Sequence, residues 1–252
     1  MTDQEPSTPP RELAENGHFH GECPDLDSST PAYAARFASR AGTWFLDVQT
    51  RILVEFMRPW SKASVLDVGG GHAQVAKPLL SAGHKVTLLA TSLQAVGMAL
   101  DLPLDVRIGE LCAPPTEEGE FDVAIALRIM PHVENWRALI DGLCRSAREA
   151  VIIDFPIPGG ANALAPFLFT AKKRFEGNTR HFRTMEKEEV IEAFRENGFV
   201  VDAAVGQFVV PMVAHRAINR PGISRVIEFV CRLLRLDRYI GSPVLMRARR
   251  IE

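Results

Sequence analysis

The sequence predicts a doubly wound α/β fold, in which a mostly parallel seven-stranded sheet carries helices on both faces. Short apolar runs rich in Val, Ile and Leu alternate with helix-like segments along much of the chain. Near-continuous apolar strands are typical of parallel sheets that are buried on both faces. A glycine cluster at 69–71 directly follows the first of these runs, which is typical of a strand-to-helix turn that binds a ligand.

The composition limits the classes of protein that fit. The chain has 252 residues, 46% of them hydrophobic and 24% charged, which suits one sizeable globular core. A formal net charge of -2 argues against nucleic-acid binding, because that function needs an excess of Lys and Arg to neutralise phosphates. The four cysteines are too far apart for paired metal ligands, so we predict no metal site. No apolar run approaches the roughly 20 residues of a membrane helix, so we expect a soluble protein, and we interpret the cysteines as reduced thiols of a cytoplasmic protein.

The sequence divides into an N-terminal tail and a single domain. Residues 1–30 combine Pro, Ser, Thr and acidic residues with few large apolar side chains, so we predict a disordered acidic tail. The rest of the chain, 31–252, is predicted to be a single domain. Its first element is a helix over 34–58, because apolar residues recur at steps of three and four from Phe37 to Phe56 and Pro59 lies just past the end.

The remaining elements are predicted from a change in the spacing of the apolar residues, which now form short continuous runs. Helices over 72–81 and 136–148 separate most of the first strands, and Thr184 is a plausible N-cap for a later helix that ends at Asn197 and Gly198. The strand candidates are 64–68, 85–90, 105–108, 121–127, 151–155, 199–205 and 243–249.

The glycine cluster carries the sharpest chemical signal. Residues 65–73 read Val-Leu-Asp-Val-Gly-Gly-Gly-His-Ala, so an apolar strand ends in Asp67, and Gly69, Gly70 and Gly71 follow. Glycines admit positive φ and close approach of a ligand, and the start of the next helix offers free N–H donors. A dinucleotide fingerprint needs a small residue where Gln74 stands, which leaves an NAD(P)-dependent oxidoreductase as a disfavoured alternative.

With this strand and loop, the chain resembles the class I S-adenosylmethionine-dependent methyltransferases over roughly residues 60–155, and more loosely to its C-terminus. The resemblance implies a Rossmann-like fold whose last strand, here 243–249, is antiparallel. It implies S-adenosylmethionine as cofactor, with Gly69 and Gly71 facing its methionine part and Glu110 and Leu111 beside its adenine. The cofactor-binding residues that we assign are Asp67, Gly69, Gly70, Gly71, Thr91, Glu110, Leu111 and Arg128. Arg128 either pairs with a carboxylate of the cofactor or acceptor, or forms a structural ion pair with Asp154 or Glu134.

One departure from the family pattern concerns the ribose. The family places an acid at the end of the second strand, whereas this chain has Ala90, Thr91 and Ser92 there. We expect a hydroxyl of Thr91 or Ser92 to take the place of that acid, at a cost of about 1.5 to 3 kcal/mol in cofactor binding. The alternative is a degenerate, non-catalytic relative that acts through partners.

The acceptor side is read from the residues alone. His132, after the fourth strand, is either a general base or a residue that only caps and packs. Residues 172–181 form either a solvated surface or a substrate lid, in which Arg174, Arg180 and His181 orient the acceptor. We therefore assign catalytic roles to His132 and His181, cofactor recognition to about 60–157, and acceptor recognition to about 158–252 together with helix 34–58. Phe167 and Phe169 favour an apolar or aromatic small-molecule acceptor.

A basic amphipathic helix is expected around residues 224–236. Val226, Val230 and Leu233 repeat at helical spacing, and Arg225 and Arg232 flank them. We expect this apolar face to pack on the domain itself, with contact to an anionic membrane as the less favoured alternative. The sequence makes no prediction of oligomeric state.

Overall fold

A computed structural model of the protein describes residues 24–71, 73–158 and 183–251. Within these ranges seven strands form one sheet, in the order β3-β2-β1-β4-β5-β7-β6. Strands β1 to β5 run parallel to one another, whereas β7 is antiparallel to both β5 and β6. The strands are β1 (Ser64–Val68), β2 (Lys85–Ala90), β3 (Asp105–Ile108), β4 (Phe121–Ala126), β5 (Ala147–Phe155), β6 (Phe199–Gly206) and β7 (Val244–Arg250).

Helices cover the sheet on both sides, and the predicted doubly wound fold with an antiparallel last strand is confirmed. Two short 3-10 turns lie at Gly97–Asp101 and Met130–His132. The helices are α1 (Pro24–Ser28), α2 (Pro31–Ala35), α3 (Arg40–Met57), α4 (Ala76–Ser81), α5 (Leu93–Val96), α6 (Trp136–Ser146), α7 (Lys187–Glu196), α8 (Met212–Ile218), α9 (Pro221–Leu233) and α10 (Asp237–Ile240).

Alternation along the central strands divides the interior into two cores. Along β5, Val151 and Ile153 face the core that α6 and α7 complete, whereas Ala150 and Ile152 face the core that α3 and α4 complete. This is the period of two that a strand imposes on its side chains, and both faces are apolar because both are covered. By the same alternation, the acidic residues at the ends of β1 and β5 lie on the α3 side.

The predicted first helix over 34–58 is in fact two helices. Ser39 is extended, and its hydroxyl accepts a hydrogen bond from the Gly42 amide at 3.0 Å, which starts α3 at Arg40. The chain turns back so tightly before this cap that a Cβ on Gly42 would lie 2.5 Å from the Phe37 Cα. The apolar residues therefore keep their helical spacing across a break between the two helices, which the Ser39 cap and Gly42 create.

Other boundaries also differ from the sequence prediction. Helix α4 begins at Ala76 and not at 72, and β5 begins at Ala147, so that it takes the last residues of the predicted helix 136–148. Thr184 is not the N-cap of α7, because that position is held by Glu186, in extended conformation. These differences lie at element ends, where local signals compete most closely.

The last residues of the predicted tail form regular structure. Residues 24–28 form α1, Thr30 caps α2 by accepting from the Tyr33 amide, and the Asp25 side chain is fully buried. Pro24 at the start of a short helix, followed by an acid, is a helix-start signal that the polar composition concealed. Residues 1–23 lie outside the described ranges.

Candidate active site

The glycine loop lies at the carboxyl ends of the parallel strands, between β1 and α4. Gly69 has φ of 74°, and its amide donates to the Leu89 carbonyl of β2 at 2.8 Å. At Gly71 the need for glycine is space, because a Cβ there would lie 1.8 Å from the Ala95 carbonyl oxygen. At Gly70 a Cβ would lie 2.0 Å from a carboxylate oxygen of Asp67. All three glycines are therefore required, each for a different geometric reason.

Asp67 is a buried acid at the end of β1, against this loop. Its side chain has no solvent exposure, and neither carboxylate oxygen has a hydrogen-bond partner in the described structure. Burial raises the pKa of Asp67 to about 7, and the charge of Arg128 opposes part of the rise. Because an unsatisfied buried carboxylate is costly, its position beside a glycine loop indicates a site for a cationic or hydrogen-bond-donating ligand.

Arg128 follows β4 and extends the same polar cluster. Its backbone has φ of 63°, which is strained for a residue with a side chain, and its amide donates to Asp154 of β5. The guanidinium lies 5.5 Å from the centre of the Phe37 ring, and its Nη1 is buried without a hydrogen-bond partner. Asp154 thus accepts a hydrogen bond from the Arg128 backbone. The Nη1 group of the Arg128 guanidinium can still donate a hydrogen bond to a ligand in the site.

Asp154 ties the site to helix α3. The carboxylate accepts from the Gln49 side chain of α3 at 2.7 Å as well as from the Arg128 amide. Burial raises the pKa of Asp154, and these hydrogen bonds, with the charge of Arg128, oppose the rise. The strained loop after β4 is therefore held in place by a buried network from β5 and α3.

The end of β2 has an acid that does not come from β2. Thr91 is buried, and it donates from its amide to one Asp25 oxygen at 2.8 Å and from its hydroxyl to the other at 2.6 Å. Asp25 belongs to α1, and its Cβ lies 3.6 Å from the place of a Cβ on Gly69. Ser29, one turn further on, donates to the Ala95 carbonyl at 2.7 Å. Helix α1 and Ser29 thus form one wall of the site.

The other predicted site residues lie on neighbouring turns. Glu110 is half-buried and Leu111 buried after β3, and both follow Gly109, whose amide donates to the Ala90 carbonyl. His132 is half-buried in the 3-10 turn that follows Arg128. Both of these segments are at the same sheet edge as the glycine loop. His181, with Phe167, Phe169, Arg174 and Arg180, lies outside the described residues.

A second polar cluster resembles a hydrolase triad but is closed to substrate. The Ser224 hydroxyl lies 2.9 Å from His215 Nδ1, and His215 Nε2 lies 2.9 Å from a Glu228 oxygen. All three are buried, and Glu228 also accepts from the amides of Val209 and Val210. This cluster joins α8 and α9 to the chain after β6, so its role is structural.

Two other features of the described residues bear on where the site lies. These residues contain no group of His, Cys, Asp or Glu arranged to hold a metal ion. A shallow cleft of about 600 Å³ does exist, lined by the Arg107–Glu120 ion pair and Arg145, but no residue of the glycine loop borders it. We therefore place the functional site at the loop, where Asp67 and Arg128 have buried polar atoms without a hydrogen-bond partner, and not at this cleft.

The fold and this site together define a class I, Rossmann-like methyltransferase architecture: seven strands with β7 antiparallel, and a glycine loop with a buried acid after β1. A family model described as a methyltransferase domain matches residues 32–204. The chain belongs to this family of S-adenosylmethionine-dependent methyltransferases, which confirms the resemblance, the cofactor and the enzyme class that the sequence predicts. No curated protein matches the sequence.

Solved structures support the fold. Magnesium protoporphyrin IX methyltransferase from Synechocystis PCC 6803, with bound S-adenosylhomocysteine, is 15% identical, with a TM-score of 0.58 over 84% of this chain and 86% of that one. An S-adenosylmethionine-dependent methyltransferase from Mesorhizobium loti is 16% identical, with a TM-score of 0.57 over 81% of this chain and 100% of that one. In the described ranges of this chain, no helix has both the length and the apolarity to cross a bilayer.

Proposed function

We propose that this enzyme transfers a methyl group from S-adenosylmethionine to a small-molecule acceptor, an apolar or aromatic metabolite with a polar handle. The observation that carries the proposal is the buried Asp67 carboxylate, which has no donor among the described residues and lies against the glycine loop. The methionine part of the cofactor has an ammonium group that would satisfy it. Binding this group would replace an unsatisfied buried charge by an ion pair.

Arg128 offers the complementary contact. Its buried Nη1 lacks a partner, and its charge acts on Asp67. A ligand with both a carboxylate and an ammonium, as a free amino acid or a methionine moiety has, satisfies both groups at once. The donor set of the site therefore fits the amino-acid end of the cofactor, and we assign Gly69, Gly70 and Gly71 to the backbone cradle beside it.

We assign the ribose to Asp25. The Thr91 amide and hydroxyl each donate to one Asp25 oxygen, which holds this carboxylate at the end of β2, where the family pattern has the acid that binds the ribose hydroxyls. Thr91 was expected to bind the ribose directly, and in this assignment it orients Asp25 instead. Glu110 and Leu111, after β3, remain assigned to the adenine on the strength of the family resemblance.

The chemistry requires little beyond positioning. When bound, S-adenosylmethionine supplies a methyl group on a sulfonium, which the lone pair of the acceptor attacks in line. The chain's contribution is to hold the two reactants at near-attack distance and to exclude water, which is worth several orders of magnitude in rate. We keep His132 as the candidate general base for an acceptor that retains its proton, with His181 as a second candidate.

The acceptor class rests on two supports. Two similar structures carry names with small-molecule acceptors: the magnesium protoporphyrin IX enzyme and a putative sarcosine dimethylglycine methyltransferase from Galdieria sulphuraria. The sequence places Phe167, Phe169, Arg174, Arg180 and His181 in the acceptor half, which favours an apolar body with an anionic or carbonyl group.

The test is a calorimetric titration of the purified protein with S-adenosylmethionine, S-adenosylhomocysteine and NADH. We expect the first two to bind and NADH not to, and Asp67→Asn to weaken the first two at least tenfold. Formation of S-adenosylhomocysteine is then followed with a panel of aromatic and aliphatic acceptors that carry hydroxyl, amine or carboxylate groups. Absence of S-adenosylhomocysteine binding at about 1 mM ligand would overturn the proposal.

A further inference from the structure

Helix α9 presents its apolar residues to solvent. The side chains that it buries are Ser224 and Glu228, whereas Val226 is 64%, Phe229 67% and Leu233 72% exposed. We expected the opposite, with the apolar face packed on the domain. Buried polar and exposed apolar residues on one amphipathic helix indicate that the outward face has a function of its own.

The orientation of α9 is fixed by specific contacts. Glu228 accepts from His215 and from the amides of Val209 and Val210, and Ser224 lies against the other nitrogen of the same imidazole. Rotating α9 to bury Phe229 would take Glu228 out of this network. The apolar face is therefore held outward by the fold.

The exposed apolar surface continues past the end of α9. More than half of the exposed large apolar side chains in the described part of the chain lie between residues 223 and 239. We call this surface the α9 face. Its members are Ile223, Val226, Phe229, Val230, Leu233, Leu234, Leu236 and Tyr239.

The charges around the α9 face are predominantly positive. Arg225, Arg232, Arg235 and Arg238 are all exposed. Arg225 and Arg232 are seven residues apart, close to two helical turns, so they lie along the same flank of α9. The two acids of this stretch do not balance them, because Glu228 is buried in the His215 network and Asp237 is half-buried.

We propose that the α9 face docks on an anionic lipid surface, with α9 lying in the headgroup plane. An apolar stripe flanked by arginines is the pattern of an interfacial helix, which buries apolar area between lipids and pairs its cations with anionic headgroups. A second copy of the chain fits less well, because a two-fold contact through this face would bring the arginines of both copies together. The proposal is independent of the methyl acceptor and of the cofactor.

The experiment is co-sedimentation of the full-length protein with vesicles of phosphatidylcholine alone, and of phosphatidylcholine mixed with phosphatidylserine. We expect binding to the mixed vesicles only, and a loss of that binding when salt is raised from about 0.1 M to about 0.5 M. Phe229→Ser with Leu233→Ser should reduce the bound fraction at least tenfold. Arg225→Gln with Arg238→Gln should remove the preference for phosphatidylserine.

The matched control is Ile191→Ser with Val200→Ser, which changes two exposed apolar residues on α7 and β6. It should bind vesicles like the unaltered protein, and circular dichroism should show that each variant is folded. Equal binding by the Phe229 and Leu233 double variant would overturn the proposal. So would a dimer, seen by analytical ultracentrifugation, that fails to bind vesicles and that the same double variant dissociates, because the face would then be a contact between copies.

Discussion

The Asp25 carboxylate binds both the amide and the hydroxyl of Thr91, at the end of β2. This is the place where the family pattern requires an acid and where the chain has Ala90. A carboxylate is therefore present at this place in the folded protein, although it comes from a helix more than sixty residues earlier in the chain. The ribose assignment that we propose for Asp25 would make the position of α1 relevant to cofactor affinity.

The first prediction is that Asp25→Asn weakens binding of S-adenosylhomocysteine about tenfold to a hundredfold, which is the cost of losing hydrogen bonds to a charged group. Isothermal titration calorimetry measures the affinity. A second ligand, an analogue that lacks both ribose hydroxyls, separates the ribose contact from other effects. The unaltered protein should bind it less tightly, whereas Asp25→Asn should bind both ligands about equally.

Matched variants make this result specific. Asp101→Asn, at an exposed acid after α5, should leave the affinity unchanged. Removal of residues 1–23 should also leave it unchanged, whereas removal of 1–28 should reproduce the loss seen with Asp25→Asn. If Asp25→Asn instead tightens binding, α1 competes with the cofactor and the ribose assignment is wrong. If the unaltered protein binds no S-adenosylhomocysteine, it is the methyltransferase proposal that fails.

The second prediction concerns the stability cost of Asp67. Its folded-state pKa, about 7, is above the unfolded value of about 4. The stability that the protonated side chain provides is therefore complete below about pH 4. It decreases as the pH rises and is fully lost above about pH 7. Asp67→Asn should raise Tm at pH 8 by about 4 °C or more in the absence of ligand.

Calorimetry at pH 5 and pH 8 provides the control for this prediction. The Tm advantage of Asp67→Asn should be smaller at pH 5, where the native acid is already protonated. Asp105→Asn, at an exposed acid at the start of β3, should change Tm little at either pH. A lower Tm for Asp67→Asn at pH 8 would show that the carboxylate is satisfied by a group of the protein itself.

The third prediction is a pH dependence of cofactor affinity. In the proposed site the ammonium group of the ligand would pair with the ionised form of Asp67, so binding would have to remove the proton when the pH is below about 7. The affinity for S-adenosylhomocysteine should therefore fall about tenfold per pH unit below pH 7 and level off above it. Asp67→Asn should bind weakly and with no such dependence between pH 5.5 and 8, a range set by the same pKa.

The sequence predicts the sheet well because its signals are local. Strands such as β1 and β2 are apolar runs between polar turns, and their bounds agree with the prediction. The sequence predicts the glycine loop equally well, since consecutive glycines directly after a strand indicate a tight turn at which a ligand can approach the backbone. Asp67 was identified from the same motif, but its burial and lack of a donor depend on residues that surround it from elsewhere in the fold.

Contacts between distant segments account for the features that the sequence did not predict. The polar neighbours of Asp25 predict a disordered tail, and its contact with Thr91 exists only in the folded chain. The outward direction of Phe229 and Leu233 is similar, because helical period shows that a face is apolar but does not show which way it points. Glu228 decides this direction through partners on α8 and on the chain after β6.

The fourth prediction separates the two roles of Gly69. A Cβ at this position would lie 2.6 Å from the Ile129 side chain, and φ is 74°. Gly69→Ala should cost about 1 to 2 kcal/mol in stability and weaken S-adenosylhomocysteine binding at least tenfold, because the cradle is filled. Gly83→Ala is the matched control, since φ there is 88° and no atom lies within 4 Å of the new Cβ. It should lose only the stability that the positive φ costs and keep full affinity, and equal affinity in both variants would remove the loop from the cofactor site.

The last prediction concerns the network that holds α9. Burial opposes ionisation of Glu228, but hydrogen bonds from His215 and from the Val209 and Val210 amides outweigh it, and the pKa of Glu228 is lowered. A lowered folded-state pKa gives stability that is present above the unfolded value of about 4.3 and is lost as the pH falls through the folded value. Glu228→Gln should therefore destabilise the protein by about 1.5 to 3 kcal/mol at pH 7, and this difference should shrink below pH 4.

Urea unfolding at both pH values measures it, with the exposed Glu118→Gln as a control that should behave like the unaltered protein. A destabilisation of the same size at pH 3 and pH 7 would show that Glu228 acts through its shape and not through its charge.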